Sequence, residues 1–136
     1  MTAIACSPFL RAQQTAELIA GELGLGVHDI TIIDELHERR MGELEGGPKN
    51  HETSFFYQND TDFGFESQAD LIARVSTALK EVKQLAAKTD GTTVVVGHAT
   101  SGFYFLQVAK GHHSFEEFDH VSQMDNAEFI EVQTEI

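Results

Sequence analysis

Thr92-Thr93-Val94-Val95-Val96-Gly97-His98 reads as a strand with no polar alternation. β-Branched residues suit a pleated backbone, and a strand showing no wet face belongs in a parallel sheet, buried on both sides. The predicted strand runs from Thr92 to Gly97, with His98 at its carboxyl end. Open parallel sheets gather ligands at the carboxyl ends of their strands, so His98 stands where chemistry is placed.

Strand and helix patterns alternate on both sides of this stretch. Upstream, Ser67-Gln68-Ala69-Asp70 sets an acid three residues after a serine, a helix-start pattern. Leu71, Val75, Ala78, Leu79, Val82 and Leu85 follow at helical spacing, and the helix is predicted to end near Thr89-Asp90-Gly91. Downstream, a third helix is predicted over Gly102 to Ala109, stopped at Gly111. Phe129 to Ile136 alternates Ile130, Val132 and Ile136 with Glu131, Gln133 and Glu135, the period of a strand with one wet face.

At the other end, Thr2 to Cys6 is a short apolar strand that stops at Ser7-Pro8. The serine oxygen can accept a free backbone N–H and proline tolerates the first helical position, so Ser7 is predicted to cap a helix. Leu10, Ala16, Ile19, Ala20 and Leu23 form its apolar stripe, and Gly24 and Gly26 end it. Ile30, Ile32 and Ile33 mark another strand. From Leu36 to Gly64 periodicity fails among Gly42, Gly46, Gly47 and Pro48, with Phe55, Phe56, Tyr57 and Phe63 scattered through. Such an excursion suits a lid or a binding loop. The alternation predicts an α/β class, a three-layer sandwich with a mainly parallel sheet.

The chain has 136 residues, which predicts one domain over 1–136. Apolar residues at 41% and charged residues at 23% fit a globular chain. The net charge of −13 repels nucleic-acid phosphates and anionic lipid, so neither partner is expected. A lone cysteine, Cys6, rules out an internal disulfide and fits a small buried residue. No apolar run is long enough to span a bilayer, and Met1 to Cys6 carries no export pattern. A cytoplasmic location is the resulting expectation.

Several constellations can carry chemistry. Arg11, one turn into a helix that follows a strand, can grip phosphate oxygens with its fork of donors, or can lie exposed on apolar neighbours. In Leu36-His37-Glu38-Arg39-Arg40-Met41-Gly42-Glu43-Leu44-Glu45-Gly46, a carboxyl can serve as proton donor beside a phosphate, or the charges can pair at the surface. His98 can meet a transferring phosphoryl group, or can be a satisfied structural histidine. His112, Glu116 and His120 share a face on a continuous helix, but Gly111 breaks the pattern, so a solvated segment is favoured over a metal site.

In order, these segments resemble the histidine phosphatase superfamily, also called phosphoglycerate-mutase-like. Ser7-Pro8-x-x-Arg11-Ala12-x-Gln14-Thr15-Ala16 is similar to its Ser-Pro-x-x-Arg-Ala-x-Gln-Thr-Ala helix start. Leu36-x-Glu38-x-x-Met41-Gly42-x-x-Glu45-Gly46 resembles its Leu-x-Glu-x-x-(aromatic)-Gly-x-x-Glu-Gly segment. Glu66-Ser67 with Arg74-Val75 resembles the entry to its long helix, and Val94-Val95-Val96-Gly97-His98 its second-histidine strand, with Ala99 where glycine is common.

The resemblance implies that Glu38 and His98 are catalytic, as proton donor and as stabiliser of the phosphoryl oxygens. It assigns Arg11 and Ala99 to substrate binding. It implies a phosphorylated small molecule or phosphate as ligand, with no metal and no cofactor. Family members form a phosphohistidine in an Arg-His-Gly motif after a first strand, and no Arg-His-Gly occurs in the sequence. Thr2 to Cys6 corresponds to the second strand, so a truncated domain lacking an internal strand is expected. Its unpaired backbone groups call for strand closure, a longer native chain, or a strand from a second copy in a homodimer. The expected function is a phosphomonoesterase, phosphatase rather than mutase, incomplete without its nucleophile. The alternatives are a non-catalytic module that binds phosphorylated ligands or a partner protein, and a plain interaction domain.

Overall fold

The computed structural model describes residues 2–40, 66–89, 92–114 and 116. The excursion beyond residue 40, the strand expected over Phe129 to Ile136, and His120 lie outside the described residues. Strand β1 is Ala3–Cys6, followed by helix α1, Leu10–Glu22, and strand β2, Ile30–Ile32. Helix α2 is Gln68–Ala86, strand β3 is Thr93–Val96, and helix α3 is Ala99–Ala109. Short 3-10 turns occupy Val27–Asp29 and Asp34–Leu36.

The sheet is parallel, in the order β2-β1-β3. Ile4 pairs with Ile30 on one side and Val94 on the other, so β1 is central. Alternate side chains of β1 leave by opposite faces. Ile4 and Cys6 pack on Ala16 and Ala20 of α1, with Val94 and Val96 beside them. Ala5 packs the other way, among Ile33, Leu36, Ala78 and Val82. Helices therefore cover both faces, which makes three layers. α3 lies on α2, joining Phe103, Tyr104 and Val108 to Leu71 and Val75.

Ser67 caps α2 as its spacing predicts, its Oγ accepting from Asp70 N at 3.0 Å. The other ends differ from the sequence reading for identifiable reasons. α1 begins at Leu10 with Phe9 at the cap, not Ser7, because the Ser7 hydroxyl is turned toward His98. Its buried face is Ala12, Ala16 and Ala20, whereas Leu10 is 71% exposed. Small side chains let this helix sit close on β1, and the larger leucines are left outside.

β3 is half-buried along its whole length rather than covered on both faces. It pairs directly with β1 from Ala3↔Thr93 to Cys6↔Val96, and no strand borders its other edge among the described residues. α3 starts three residues earlier than its apolar pattern suggests, with His98 as its cap residue. The donors of its first turn are met by a residue from far upstream. Gly111, at φ +93°, follows its end, where only glycine adopts the backbone without strain.

Candidate active site

Parallel pairing brings the carboxyl ends of β1 and β3 side by side. Ser7 N donates to Val96 O at 3.0 Å, which extends that ladder by one step. Ser7 therefore arrives beside His98, and its Oγ lies 2.7 Å from His98 Nε2. Phe9 N also donates to Ser7 Oγ, at 3.2 Å. One turn on, Arg11 reaches back so that Nη2 lies 3.4 Å from His98 Nδ1. The Phe9 ring lies beside both. It lies 4.9 Å from the His98 ring, and the Arg11 guanidinium stands 5.0 Å over its face.

Glu38 enters from the segment after the Asp34–Leu36 turn. Its Oε1 accepts from Ser101 N at 2.7 Å and from Arg39 N at 2.8 Å, and its Oε2 accepts from Thr100 N at 3.1 Å. The carboxylate thus meets the free donors and positive end of α3, immediately after His98. Ala99, the first residue of α3, is exposed, and its N–H has no acceptor among the described residues. Arg11, Glu38 and the adjacent pair His98 and Ala99, drawn from three distant stretches of chain, converge on one spot.

The Glu38 segment is held by groups the sequence reading did not single out as structural. The Arg74 guanidinium grips Glu66 with both forks, Nη2 to Oε1 at 2.7 Å and Nε to Oε2 at 2.9 Å. Its Nη1 donates to Glu35 O at 2.6 Å and His37 O at 2.8 Å. Arg39, only 1% exposed, donates from Nε and Nη2 to Glu66 O at 3.0 and 2.8 Å. Arg40 N completes the set, donating to Glu66 Oε1 at 3.3 Å. The spacing of Glu66 and Arg74 on either side of a cap was visible, but the carbonyls that Arg74 serves belong to another segment.

Burial pushes the His98 imidazole below its ordinary pKa; nearby Glu38 opposes this, while Arg11, His37 and Arg74 add to it. Burial pushes the Glu66 carboxyl up, but Arg74, with help from Arg40 N and His37, outweighs it and holds the group below its usual range. Burial also lowers Arg39, against Tyr104, Glu66 and Glu38. The buried Cys6 thiol is raised by desolvation and then by Glu17, which suits a packing residue. His112, one of the three residues of the metal motif the spacing raised, bonds Gln107 Oε1 through Nδ1 at 2.7 Å.

A family model described as the histidine phosphatase superfamily, branch 1, matches residues 1–135. The chain belongs to that superfamily. Solved histidine-phosphatase-fold structures resemble it at low identity. A mycobacterial glucosyl-3-phosphoglycerate phosphatase solved with VO3 is 20% identical with a TM-score of 0.66, the match covering 92% of this chain and 66% of that one. The structure described as mycobacterial hydrolase 2 is 21% identical with a TM-score of 0.61, over 79% of this chain and 51% of that one. Bacillus stearothermophilus YhfR is 22% identical with a TM-score of 0.57, over 80% and 56%. The histidine phosphatase chain described here thus spans less than two-thirds of these structures. No curated protein sequence matches it. No helix among the described residues is long and apolar enough to cross a membrane.

Proposed function

We propose that the chain binds the phosphoryl group of a phosphomonoester and belongs to a phosphatase-type reaction. One observation carries the reading: Arg11, in the first turn of the helix after β1, and His98, just past the end of the adjacent parallel β3, meet at 3.4 Å, with the Glu38 carboxylate on the helix start that follows His98. The Arg11 fork supplies paired donors to phosphoryl oxygens, and the open Ala99 N–H supplies a backbone donor beside it. Such donors offset charge that gathers on the phosphoryl oxygens as the ester bond breaks.

Glu38 suits proton transfer through one oxygen. Among the described residues, Oε1 accepts from both Ser101 N and Arg39 N, whereas Oε2 accepts from Thr100 N alone. A carboxylate oxygen offers two acceptor positions, so Oε2 keeps one for a proton passed to a leaving alkoxide. The sequence contains no Arg-His-Gly, so these residues supply binding and proton handling but not the covalent acceptor the family uses. A second reading is a module that holds phosphorylated ligands without turnover, which the Arg11 fork and the open Ala99 N–H would serve equally well.

Titration with inorganic phosphate and with vanadate tests the shared part of both readings. Saturable binding that is lost in Arg11→Ala supports it, and the absence of binding at millimolar ligand refutes it. Hydrolysis of an aryl phosphate, abolished in Glu38→Gln and His98→Ala, selects the catalytic reading. Binding without turnover selects the other.

A further inference from the structure

Phe9 holds the cap position of α1, where the free donors of a helix start favour Ser, Thr, Asp or Asn. Its side chain makes no cap hydrogen bond. The ring is also 37% exposed, so much of its surface gains nothing from burial. What it touches is the site. Its centroid lies 4.9 Å from that of His98 and 6.2 Å from that of His37, and the Arg11 guanidinium stands 5.0 Å from it, over the face. Residues two apart within a helix point to different sides and do not meet. Phe9 and Arg11 meet because Phe9 is still extended, at φ −68° and ψ 141°, before the helix begins at Leu10. The Phe9 backbone is pinned on both sides. Its N–H donates to Ser7 Oγ at 3.2 Å, and its carbonyl accepts from Ala12 N and Gln13 N, each at 3.0 Å.

We propose that Phe9 is a positioning residue whose ring holds the Arg11 guanidinium toward His98 before a phosphate arrives. Arg11 is exposed, and a long exposed side chain loses rotamer freedom when a ligand orders it. The negative face of the ring attracts the cation and favours the orientation that brings Nη2 to 3.4 Å from His98 Nδ1. Part of the ordering is then complete in the free protein. A carboxylate in the same place would occupy the fork, whereas a ring face leaves the N–H donors to phosphoryl oxygens. The gain in affinity rests on the phosphate reading of the Arg11–His98 pair; the hold on the guanidinium does not.

NMR of the folded wild-type chain reads the contact without any variant. Protons over a ring face are shifted upfield, so the Arg11 Hδ and Hε signals are expected upfield of their random-coil positions. Signals at random-coil positions overturn the proposal. Phe9→Leu, which keeps an apolar side chain but removes the ring face, is expected to return those signals toward random coil. It is also expected to weaken inorganic phosphate binding about two- to fivefold by calorimetry, the scale of an exposed cation–π contact. Phe9→Tyr, which keeps the face, is expected to bind as the wild type does. In an Arg11→Ala background Phe9→Leu is expected to change the affinity no further, because the ring acts through the guanidinium. An equal loss with and without Arg11, no loss in Phe9→Leu, or a tyrosine variant as weak as the leucine one overturns the proposal. If the wild-type chain shows the upfield signals yet binds no phosphate, the site reading fails and the hold of Phe9 on Arg11 stands.

Discussion

Glu38 and Ser101 meet at 2.7 Å, carboxylate oxygen to backbone N–H, across 63 positions of sequence. One side chain therefore caps α3 and also faces the space where a ligand would bind. Glu38→Gln keeps the size but removes the charge opposite the helix end. It is expected to cost about 1–2 kcal/mol in denaturant unfolding. The same variant leaves Arg11 in place, so phosphate binding should survive while any hydrolysis disappears. Equal loss of both would show that Glu38 acts on structure alone.

Arg11 is exposed on α1, and among the described residues its guanidinium contacts are to Phe9 and His98. Arg11→Ala should leave the melting temperature nearly unchanged, since exposed substitutions usually fall within about 0.5 kcal/mol. Phosphate affinity should drop by roughly 10- to 100-fold, measured by calorimetry, because a charge-assisted donor pair is removed. Arg11→Lys should recover only part of it, for lack of the fork.

Glu66 and Arg74 are nearly covered, with side chains 11% and 12% exposed. Removing one partner strands the other, so Glu66→Ala should cost about 3–5 kcal/mol, among the largest single effects in the chain. Arg74→Lys should also be poorly tolerated, because an ammonium cannot hold Glu66, Glu35 O and His37 O together. Unfolding curves of both variants check this.

Acid should destabilise the fold in two stages. His98 has its folded pKa below the ordinary 6.5, so the unfolded chain binds more protons near that value. Its contribution is complete above about pH 6.5 and is lost as pH falls toward the lower folded value. Glu66 is likewise held below its ordinary 4.5, so its contribution is present above 4.5 and disappears as pH falls through the folded value. Melting temperatures from neutral to about pH 3 should show both declines. His98→Ala should erase the upper one and Glu66→Gln the lower, whereas a profile unchanged by either substitution contradicts the assignment.

The elements easiest to read were those whose signals are local. Ser67 and Asp70 sit three residues apart, and their bond is the cap the spacing predicts. The valines of β3 and the position of His98 at its end were equally legible. Where a distant group intervenes, local signals mislead. Ser7 looks like a helix cap, but His98, 91 positions away, draws its hydroxyl aside. The first turn of α3 has no cap of its own, because Glu38 provides it. Leu10 fits a helical stripe, yet the packed face of α1 is set by alanines, and no local pattern says which of two apolar rows meets a sheet. Arg39 reads as a surface charge, but its acceptor is a carbonyl beyond the excursion.

Ala16 and Ala20, buried on the sheet, fix how deep α1 rides, and α1 carries Arg11. Methyl groups therefore act as shims beneath the guanidinium. A bulkier residue at either position would lift the rod and open the jaw between Arg11 and His98, without touching a single charge. The calibre of the anion seat is governed by carbon volume a full layer below it.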